Sequence, residues 1–386
     1  MSKYPREVTL GILITEMTPR LPIVHEHFYH DFAQEAAQAG ISVIIFSSQD
    51  IDTATTRVRG YRLHSRTKKW EQGLYPLPRI IYDRCFPANK YALRGYRLQK
   101  YKINASPGIY LLGQGLADKW NVMQLLQRDA NLHLHVPRTE VLLNLNQLHS
   151  WLDQYPSLMI KPRNSSQGKG ILYVARRDLQ DVHYTLCGRT FTNQSIEHVF
   201  TSRSSLLAWL ADIVTLRPYL IQQYCTLSNN AGNAYDIRAL VQKNKYGKFQ
   251  LTGMAIRQGL PGSITSNLHG GGIAKPLIPY LTEQFGSEQA SRLQSSLMDC
   301  ALRTAACIEQ SYGRIAELGI DIGVDRDAHL WILEVNSKPG RSLFKQLQDE
   351  STYRMSIMNL IHYAAYLLQS PQHRCIPTAR GNPIGG

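Results

Sequence analysis

The chain has 386 residues, of which 43% are hydrophobic and 19% are charged, as in an ordinary globular protein, and its formal net charge is +14. Its longest apolar runs fall far short of the roughly 20 residues that a membrane-spanning helix needs, and its start has no signal-peptide core, so we expect a cytoplasmic protein without a membrane span. The six cysteines have neither C-x-x-C nor zinc-ligand spacing, which favours reduced structural thiols over a metal centre.

The positive charge is concentrated in residues 57–102, where thirteen Lys and Arg residues stand against two acids. One interpretation is a solvated basic face. The other is a surface that attracts a polyanion or an acidic acceptor substrate, and the composition leaves both open. No nucleic-acid-binding motif accompanies the charge, which makes nucleic acid the weaker hypothesis for a partner.

Short apolar runs alternate with an amphipathic run in the first part of the chain. The pattern predicts a strand at Val8–Thr15, a helix at His27–Gln38, a strand at Ile41–Phe46, a basic β-ribbon over 58–75 and a core strand at Arg79–Cys85. Strand, helix and strand in this order are typical of a βαβ unit and a parallel sheet. Residues 1–115 are therefore predicted to form an N-terminal α/β domain.

Lys119 follows Asp118, whose side chain suits the N-cap of a helix predicted from Lys119 to Asp129. A lysine in the first turn opposes the helix dipole and is therefore unusual at this position. Taken alone, however, a surface lysine is the simpler interpretation of this position.

Lys161 ends a predicted strand and precedes a loop of small and Gly residues, from Arg163 to Gly170. A second predicted strand follows the loop. Backbone N–H groups of such a flexible hairpin can approach phosphate oxygens, and a lysine at its base would act on the same anion. The loop is not a Walker A motif, because it lacks the required Gly spacing and no helix follows it.

Further strands and helices are predicted in the second half of the chain. The strands lie at Tyr219–Tyr224, Tyr235–Val241 and 248–258, and the helices at 279–310 and 353–368. On the middle strand Asp236 and Arg238 share one face, and such a pair commonly forms a structural ion pair. The Pro- and Gly-containing residues 370–386 are expected to form a flexible tail.

Two apolar runs near the end of the chain carry oxygen ligands. Asp321 interrupts the first run, and Glu334 and Asn336 alternate along the second, so they share one face of a strand. If the two runs pair across the turn at 325–328, the three side chains converge. Hard oxygen donors without Cys or His suit Mg²⁺, and phosphates of the substrate usually complete the coordination shell of this ion. The sequence therefore predicts a nucleotide site here.

The order of these motifs resembles that of the ATP-grasp superfamily. The residues within the motifs are similar to those of the amino-acid-ligating and glutathione-synthetase-like branches, and most of all to those of the YheC/YheD-like endospore coat-associated proteins. The positions that carry the resemblance are Lys119, Lys161 with its loop, the strand 220–224, Asp236-Ile-Arg238, Asn267 before Gly270-Gly-Gly272, Asp321, and Glu334-x-Asn336 before Ser337-Lys-Pro-Gly340.

The resemblance implies an α/β and α+β fold, in which an N-terminal α/β pre-ATP-grasp domain precedes an ATP-grasp domain at 116–369. Two α+β subdomains of the latter would clamp ATP. The implied activity is ATP- and Mg²⁺-dependent ligation of a carboxylate to an amine or a thiol through an acyl phosphate. Two Mg²⁺ ions are implied, with Mn²⁺ as an alternative. The implied substrate is a small molecule or peptide, and an acidic one would suit the basic segment.

The resemblance also implies roles for individual residues. Asp321, Glu334 and Asn336 would hold the metal ions, and Arg238, Arg257 and Asn267 would be the catalytic residues. The nucleotide-binding residues would be Lys119, Lys161, Ser165, Ser166, Gln167, Gly168, Lys169, Gly170, Gln222, Gln223 and Tyr224. An acid for the ribose usually follows the adenine-binding stretch, whereas this chain has Cys225-Thr-Leu-Ser228 there.

A non-catalytic function is the alternative to a ligase. The coat association of the family makes credible a spore-coat assembly protein that keeps the ATP-grasp fold and nucleotide binding, with coat proteins as partners. Retention of the metal and phosphate positions favours the ligase.

Overall fold

The computed structural model describes residues 8–15, 26–52, 54–87, 89–116, 118–163, 169–178, 182–192, 194–214, 217–263, 266 and 271–369. The strands of these residues form three sheets. The predicted tail at 370–386 lies outside the described residues. None of the described helices is both long enough and apolar enough to cross a membrane.

The N-terminal sheet is mixed. Its strands are β1 (Val8–Ile14), β2 (Ile41–Ser47), β3 (Ile51–Asp52), β4 (Arg57–Leu63), β5 (Trp70–Pro76), β6 (Ile80–Asp83) and β7 (Tyr110–Leu111). The order is β3-β4-β2-β1-β6-β7, with β5 paired to β4. Parallel pairing joins β2, β1, β6 and β7, and antiparallel pairing adds the ribbon β4–β5. The predicted parallel sheet and basic ribbon are thus confirmed.

Helices cover both faces of the N-terminal sheet. Helix α1 (Glu26–Gln38) packs on one face, and helix α2 (Lys90–Ala105) packs on the other through Tyr96 and Ile103. The sequence did not predict α2, because only these two of its residues are buried and five Lys and Arg side chains interrupt the apolar pattern.

The second sheet is antiparallel throughout. Its strands are β8 (Thr139–Leu142), β9 (Ser157–Pro162), β10 (Leu172–Asp178), β11 (Val182–Arg189), β12 (Ser195–Phe200) and β13 (Tyr219–Gln223), in the order β12-β11-β10-β9-β13-β8. Helices α4 (Leu145–Gln154) and α5 (Arg203–Val214) bury Leu148, Trp151, Leu206 and Leu210 against it. The predicted hairpin after Lys161 is confirmed, since β9 and β10 pair antiparallel.

The third sheet is also antiparallel. Its strands are β14 (Tyr235–Lys243), β15 (Phe249–Gln258), β16 (Ile273–Pro276), β17 (Glu317–Val324) and β18 (Leu330–Asn336), in the order β16-β15-β14-β17-β18. Alternation assigns its two faces: Ile237, Ala239 and Val241 enter the hydrophobic core, so Asp236 and Arg238 lie on the opposite face. The polar face carries the residues predicted to form the site.

Three helices cover the apolar face of the third sheet. They are α3 (Lys119–Arg128), α6 (Leu277–Phe285) and α7 (Ser287–Tyr312). The single helix predicted over 279–310 is wrong: the chain breaks at Gly286, whose φ of 81° is left-handed. Glycine adopts this conformation without the steric cost that a side chain brings, which ends α6 and reorients α7.

The C-terminal helices return to the N-terminal sheet. They are α8 (Ser342–Gln346) and α9 (Glu350–Gln369), and α9 shares a core with α1 and β1. Beneath them the buried Glu317 of β17 accepts hydrogen bonds from Tyr82 of β6 and from Arg341. These contacts fix the N-terminal sheet against the third sheet. The division of the chain into domains at residue 115 stays a prediction.

Candidate active site

Three charged residues lie side by side across three adjacent strands of the third sheet. Arg238 on β14 is opposite Asp321 on β17, and Asp321 is opposite Glu334 on β18. Opposite residues of an antiparallel pair project from the same face. The predicted pairing of the two apolar runs is therefore confirmed, and it brings Asp321 next to Glu334.

Asp321 is buried and accepts hydrogen bonds from two arginines. Arg238 Nη2 lies 3.1 Å and Arg257 Nη2 lies 2.8 Å from Oδ2, while Arg238 Nε donates to Oδ1. Burial alone would raise the pKa of Asp321, but the two guanidinium groups outweigh it and hold the pKa below its usual range. Asp321 is therefore a carboxylate whose two oxygens are both engaged.

Arg257 is the partner of Asp236. Its Nε lies 2.6 Å from Asp236 Oδ1 and its Nη2 lies 2.7 Å from Oδ2, and Ser266 Oγ donates to Oδ2 at 2.5 Å. The alternative interpretation, in which Asp236 and Arg238 form a structural ion pair with each other, is wrong. Residues two apart along a strand are separated by roughly 7 Å, whereas cross-strand neighbours are closer, so each finds its partner on the next strand.

Lys119 lies in the first turn of α3 and faces Glu334, with 3.4 Å between Nζ and Oε1. The helix begins as predicted, since Asp118 accepts a hydrogen bond from the backbone N–H of Asn121. Asp118 also pairs with Arg163 Nε at 2.7 Å, just beyond the end of β9. The start of α3 is thus fixed to the strand that carries the second predicted lysine.

Lys161 lies near the end of β9, and its Nζ donates to Gln222 Oε1 at 2.5 Å. Thr139 Oγ1 donates to a backbone carbonyl and accepts from Gln222 Nε2 at 2.7 Å, so the amide oxygen of Gln222 faces the lysine. Burial and the neighbouring Lys119 ammonium lower the pKa of Lys161 to about 8. The two predicted lysines therefore lie within electrostatic reach of each other.

Two of the three side chains in the predicted adenine-binding stretch have partners within the protein. Gln222 contacts Lys161, and the Tyr224 ring lies 4.6 Å from the Tyr173 ring, centroid to centroid. Burial, together with Tyr173, raises the pKa of Tyr224 to about 12. The half-buried Gln223 lies between them. Adenine contacts at this stretch would therefore fall to backbone groups rather than to Gln222.

Cys225 stands where an acid for the ribose was expected. Burial raises the pKa of its thiol to about 12, although Lys161 opposes the shift. The thiol is therefore protonated at neutral pH and does not replace a carboxylate. It also lacks the low pKa that a nucleophilic cysteine needs.

The end of the predicted phosphate loop is tightly packed. Gly170 has a φ of 74°, and a Cβ added to it would lie 2.7 Å from the Phe191 ring and 2.8 Å from Pro162. Lys169 is half-buried beside it. The other predicted loop residues, Ser165, Ser166, Gln167 and Gly168, lie outside the described residues, as does Asn267.

The donor set at the edge of the sheet suits a hard cation. Glu334 and Asn336 alternate on β18 and share one face, and both are half-buried. Asp321 adds a third oxygen group, but both of its oxygens accept from arginine. Among the described residues, no group of three or more His, Cys, Asp or Glu side chains is arranged to hold a metal ion. Glu334 and Asn336 thus fit Mg²⁺, while Asp321 does so only if an arginine moves.

The sequence pattern missed Lys338, which anchors the chain just after the end of β18. Its Nζ lies 2.8 Å from Asp83 Oδ1 and 2.7 Å from the Cys85 carbonyl oxygen. Asp83 ends β6, so this lysine joins the third sheet to the carboxyl end of a parallel strand. Its position within Ser337-Lys-Pro-Gly340 could have drawn notice, but its partner lies 255 residues away.

The protein has the ATP-grasp fold, which consists here of the second sheet, with its hairpin after Lys161, and the third sheet, with Glu334-x-Asn336. A D-alanine–D-alanine ligase of Coxiella burnetii superposes with a TM-score of 0.53 at 12% identity, over 96% of this chain and 98% of that one. A RiPP-associated ATP-grasp ligase of Chryseobacterium gregarium, in complex with ADP and a leader and core peptide, has a TM-score of 0.50 at 12% identity, over 95% and 99% of the chains.

Within this fold the chain belongs to the YheC/D-like ATP-grasp family, whose model matches residues 108–367. The endospore coat-associated protein YheD of Bacillus subtilis (strain 168) is 30% identical over 336 residues, or 86% of this chain and 71% of that protein. The endospore coat-associated protein YheC of the same organism is 27% identical over 347 residues, or 89% and 92%. The predicted resemblance is thereby confirmed.

Proposed function

We propose that the protein is an ATP- and Mg²⁺-dependent ligase that joins a carboxylate to an amine or a thiol through an acyl phosphate. The observation that carries the proposal is the meeting of Lys119 with Glu334, close to Lys161 of the second sheet. Cations from two elements face one carboxylate there, and Arg238 and Arg257 lie beside them.

The charged side chains at this site favour the binding of an anion. Four cationic side chains stand against the carboxylates of Asp236, Asp321 and Glu334. Burial and the neighbouring Lys119 lower the pKa of Lys161, and a phosphate group placed between the two lysines would stabilise both charges. A triphosphate with a bound divalent cation has the charge and the oxygen atoms that such a site accommodates.

The proposed roles follow from position. Lys119 and Lys161 would bind the phosphates, with Lys169 and Gly170 at the end of the loop over them. Backbone groups of Gln222, Gln223 and Tyr224 would bind adenine. Arg238 and Arg257 would stabilise charge on the transferred phosphoryl group.

Glu334 and Asn336 are the proposed metal-binding residues, with Asp321 joining them when an arginine turns to the phosphoryl group. Bound Mg²⁺ supplies positive charge at the phosphate oxygens. The chain's own contribution is to orient the phosphates with the two lysines and to position the reacting carboxylate beside Arg238 and Arg257.

The proposed reaction has two displacements. The substrate carboxylate attacks the γ-phosphorus and ADP leaves, which forms an acyl phosphate. The amine or thiol then attacks the acyl carbon, inorganic phosphate leaves, and the nucleophile loses its proton. The relatives' association with the endospore coat motivates the further proposal that this ligation takes place during sporulation, on or near coat components.

A non-catalytic coat-assembly protein is the second candidate. The engagement of both Asp321 oxygens by arginines favours it, because a metal ligand that is held in this way is not ready for catalysis. Nucleotide binding without turnover would fit this candidate.

The test measures ADP release from Mg²⁺-ATP with a panel of amino acids, peptides and spore-coat extracts, alongside Glu334→Gln. We expect ADP release with at least one acceptor, and its loss in Glu334→Gln without a change in the thermal melting curve. ATP binding without ADP release for every member of the panel would favour the coat-assembly protein. Wild-type turnover by Glu334→Gln would remove the metal assignment.

A further inference from the structure

The exposed face of α2 is cationic and aromatic along its whole length. The helix contains five Lys and Arg residues and no acid. Tyr91 is 90% exposed, Tyr101 72% and Leu98 56%. Apolar side chains with such exposure are unusual on a helix that already buries its opposite face.

The exposed residues of α2 form one continuous surface. Positions three and four apart lie on the same side of a helix, and this spacing connects the exposed Lys90, Tyr91, Arg94, Arg97, Leu98, Tyr101 and Lys102. We name these seven residues the α2 surface. Among the described residues, none of its four cations pairs with a carboxylate.

The buried side of α2 is fixed to the candidate active site. Tyr96 donates a hydrogen bond to Asp83, and Lys100 Nζ lies 3.8 Å from the same carboxylate. Asp83 also accepts from Lys338, which lies two residues beyond Asn336, a proposed metal-binding residue. The helix that carries the α2 surface is therefore tied, through Asp83 and Lys338, to the end of the strand that carries Glu334 and Asn336.

We propose that the α2 surface docks an acidic segment of the ligase's polypeptide substrate. The α2 surface extends from Lys90 to Lys102, a length of about 20 Å along the helix, which matches about six residues of an extended peptide. Carboxylate side chains of that segment pair with the cations, and its apolar groups pack on Tyr91, Leu98 and Tyr101. Tyr and Arg are the side chains that protein interfaces favour at their centres. The term substrate rests on the proposed function; the docking does not.

The β4–β5 ribbon provides a matched control. Val58 of β4 packs in the same core as Tyr96 and Ile103, so its neighbours Arg57 and Arg59 project from the other side of the strand. They are exposed and belong to the same basic segment, but they lie outside the α2 surface. Reversing two charges here changes the net charge of the protein as much as reversing two on α2.

The experiment measures the anisotropy of labelled poly-L-glutamate with the full chain, without nucleotide and at low ionic strength. We expect binding that weakens with salt. Arg94→Glu with Arg97→Glu should weaken it by about tenfold or more, and Arg57→Glu with Arg59→Glu by about twofold at most. Tyr101→Ala should also weaken binding while conserving the charge. A thermal melting curve like that of the wild type shows that each variant is folded.

Three outcomes would overturn the proposal. Equal losses in the two double variants would show a diffuse field rather than a docking surface. Tighter binding of single-stranded DNA than of polyglutamate with equal charge would show a nucleic-acid surface. If polyglutamate did not bind even at low ionic strength, the α2 surface would not be a docking site for an acidic segment. If polyglutamate binds on α2 but no acceptor gives ADP release, the docking is supported and the ligase proposal fails separately.

Discussion

Lys161 and Gln222 lie on adjacent strands of the second sheet and meet through a hydrogen bond of 2.5 Å from Nζ to Oε1. Thr139 fixes the amide so that its oxygen faces the lysine. A neutral acceptor offsets the burial of the ammonium only in part, and Lys119 adds repulsion, which lowers the pKa of Lys161 to about 8. A lysine in this state carries its charge at neutral pH but can lose it just above.

ATP affinity is therefore expected to fall as the pH rises through about 8, because the neutral amine no longer attracts phosphate. The stability effect has the opposite sign. Between about pH 8 and the ordinary pKa of 10.5, Lys161 is neutral in the folded chain but protonated in the unfolded chain. Lys161 therefore lowers the free energy of unfolding by its full amount below about pH 8, and this destabilisation disappears as the pH rises toward 10.5. Titration calorimetry of ATP binding across this range measures the first effect. In Lys161→Arg the fall should disappear, and a fall that persists there would assign it to another group.

Asp321→Asn should lower both stability and activity, whereas Glu334→Gln should lower activity alone. Removing the Asp321 charge leaves Arg238 and Arg257 with a weakened partner in a buried setting, which costs about 3 kcal/mol. Glu334 is partly exposed and, in the part of the chain that the structure describes, pairs with Lys119 at 3.4 Å, so its loss should cost at most about 0.5 kcal/mol after solvent screening. Urea unfolding measures the two free energies. Equal destabilisation by the two variants would contradict this division of roles.

Alternation along single strands allowed the most reliable predictions from the sequence. It placed Glu334 and Asn336 on one face of a strand, and the pairing of the two apolar runs that would add Asp321 is present in the structure. It could not reveal that Arg238 faces Asp321 rather than Asp236, because the neighbour of β14 in the sheet is β17, which lies some eighty residues away. The order of strands in a sheet depends on contacts between residues far apart in the sequence, and the alternation of apolar residues within one strand does not predict it.

Helix α2 shows a second limit of sequence reasoning. Its weak apolar pattern placed it in a basic segment of undefined structure, although the cap at Asn89 is a good one, since its side chain accepts from the backbone N–H of Ala92. The break at Gly286 shows a third limit. A single Gly within a helical pattern is tolerated, and only its φ of 81° distinguishes an end from an interruption.

Gly170→Ala should disturb the proposed phosphate-binding loop more than Gly232→Ala disturbs its own turn. Both residues have left-handed φ values, 74° and 80°, so each substitution costs about 1 kcal/mol in backbone strain. At Gly170 the new methyl group also meets Phe191 and Pro162, whereas nothing lies within 4 Å at Gly232. Because Pro162 follows Lys161, relief of the clash should move the lysine and weaken ATP binding several-fold. Equal ATP affinities in the two variants would show that the packing at Gly170 is unrelated to the nucleotide.

Glu317→Gln should destabilise the junction between the N-terminal sheet and the third sheet. Glu317 is 3% exposed and accepts hydrogen bonds from Tyr82, Gln242 and Arg341, the last at 2.5 Å. The substitution leaves the buried Arg341 without its anion and places an amide donor among three donors, which should cost about 3 kcal/mol. Chemical denaturation followed by tryptophan fluorescence measures this cost.

The matched control for Glu317→Gln is Glu288→Gln on α7, which removes the carboxylate of an exposed pair with Arg292. A screened surface pair contributes little, so this variant should unfold like the wild type. If Glu317→Gln also unfolded like the wild type, the buried network would not be what fixes the two sheets together. The packing of α9 against α1 would then be what holds the N-terminal sheet and the third sheet together.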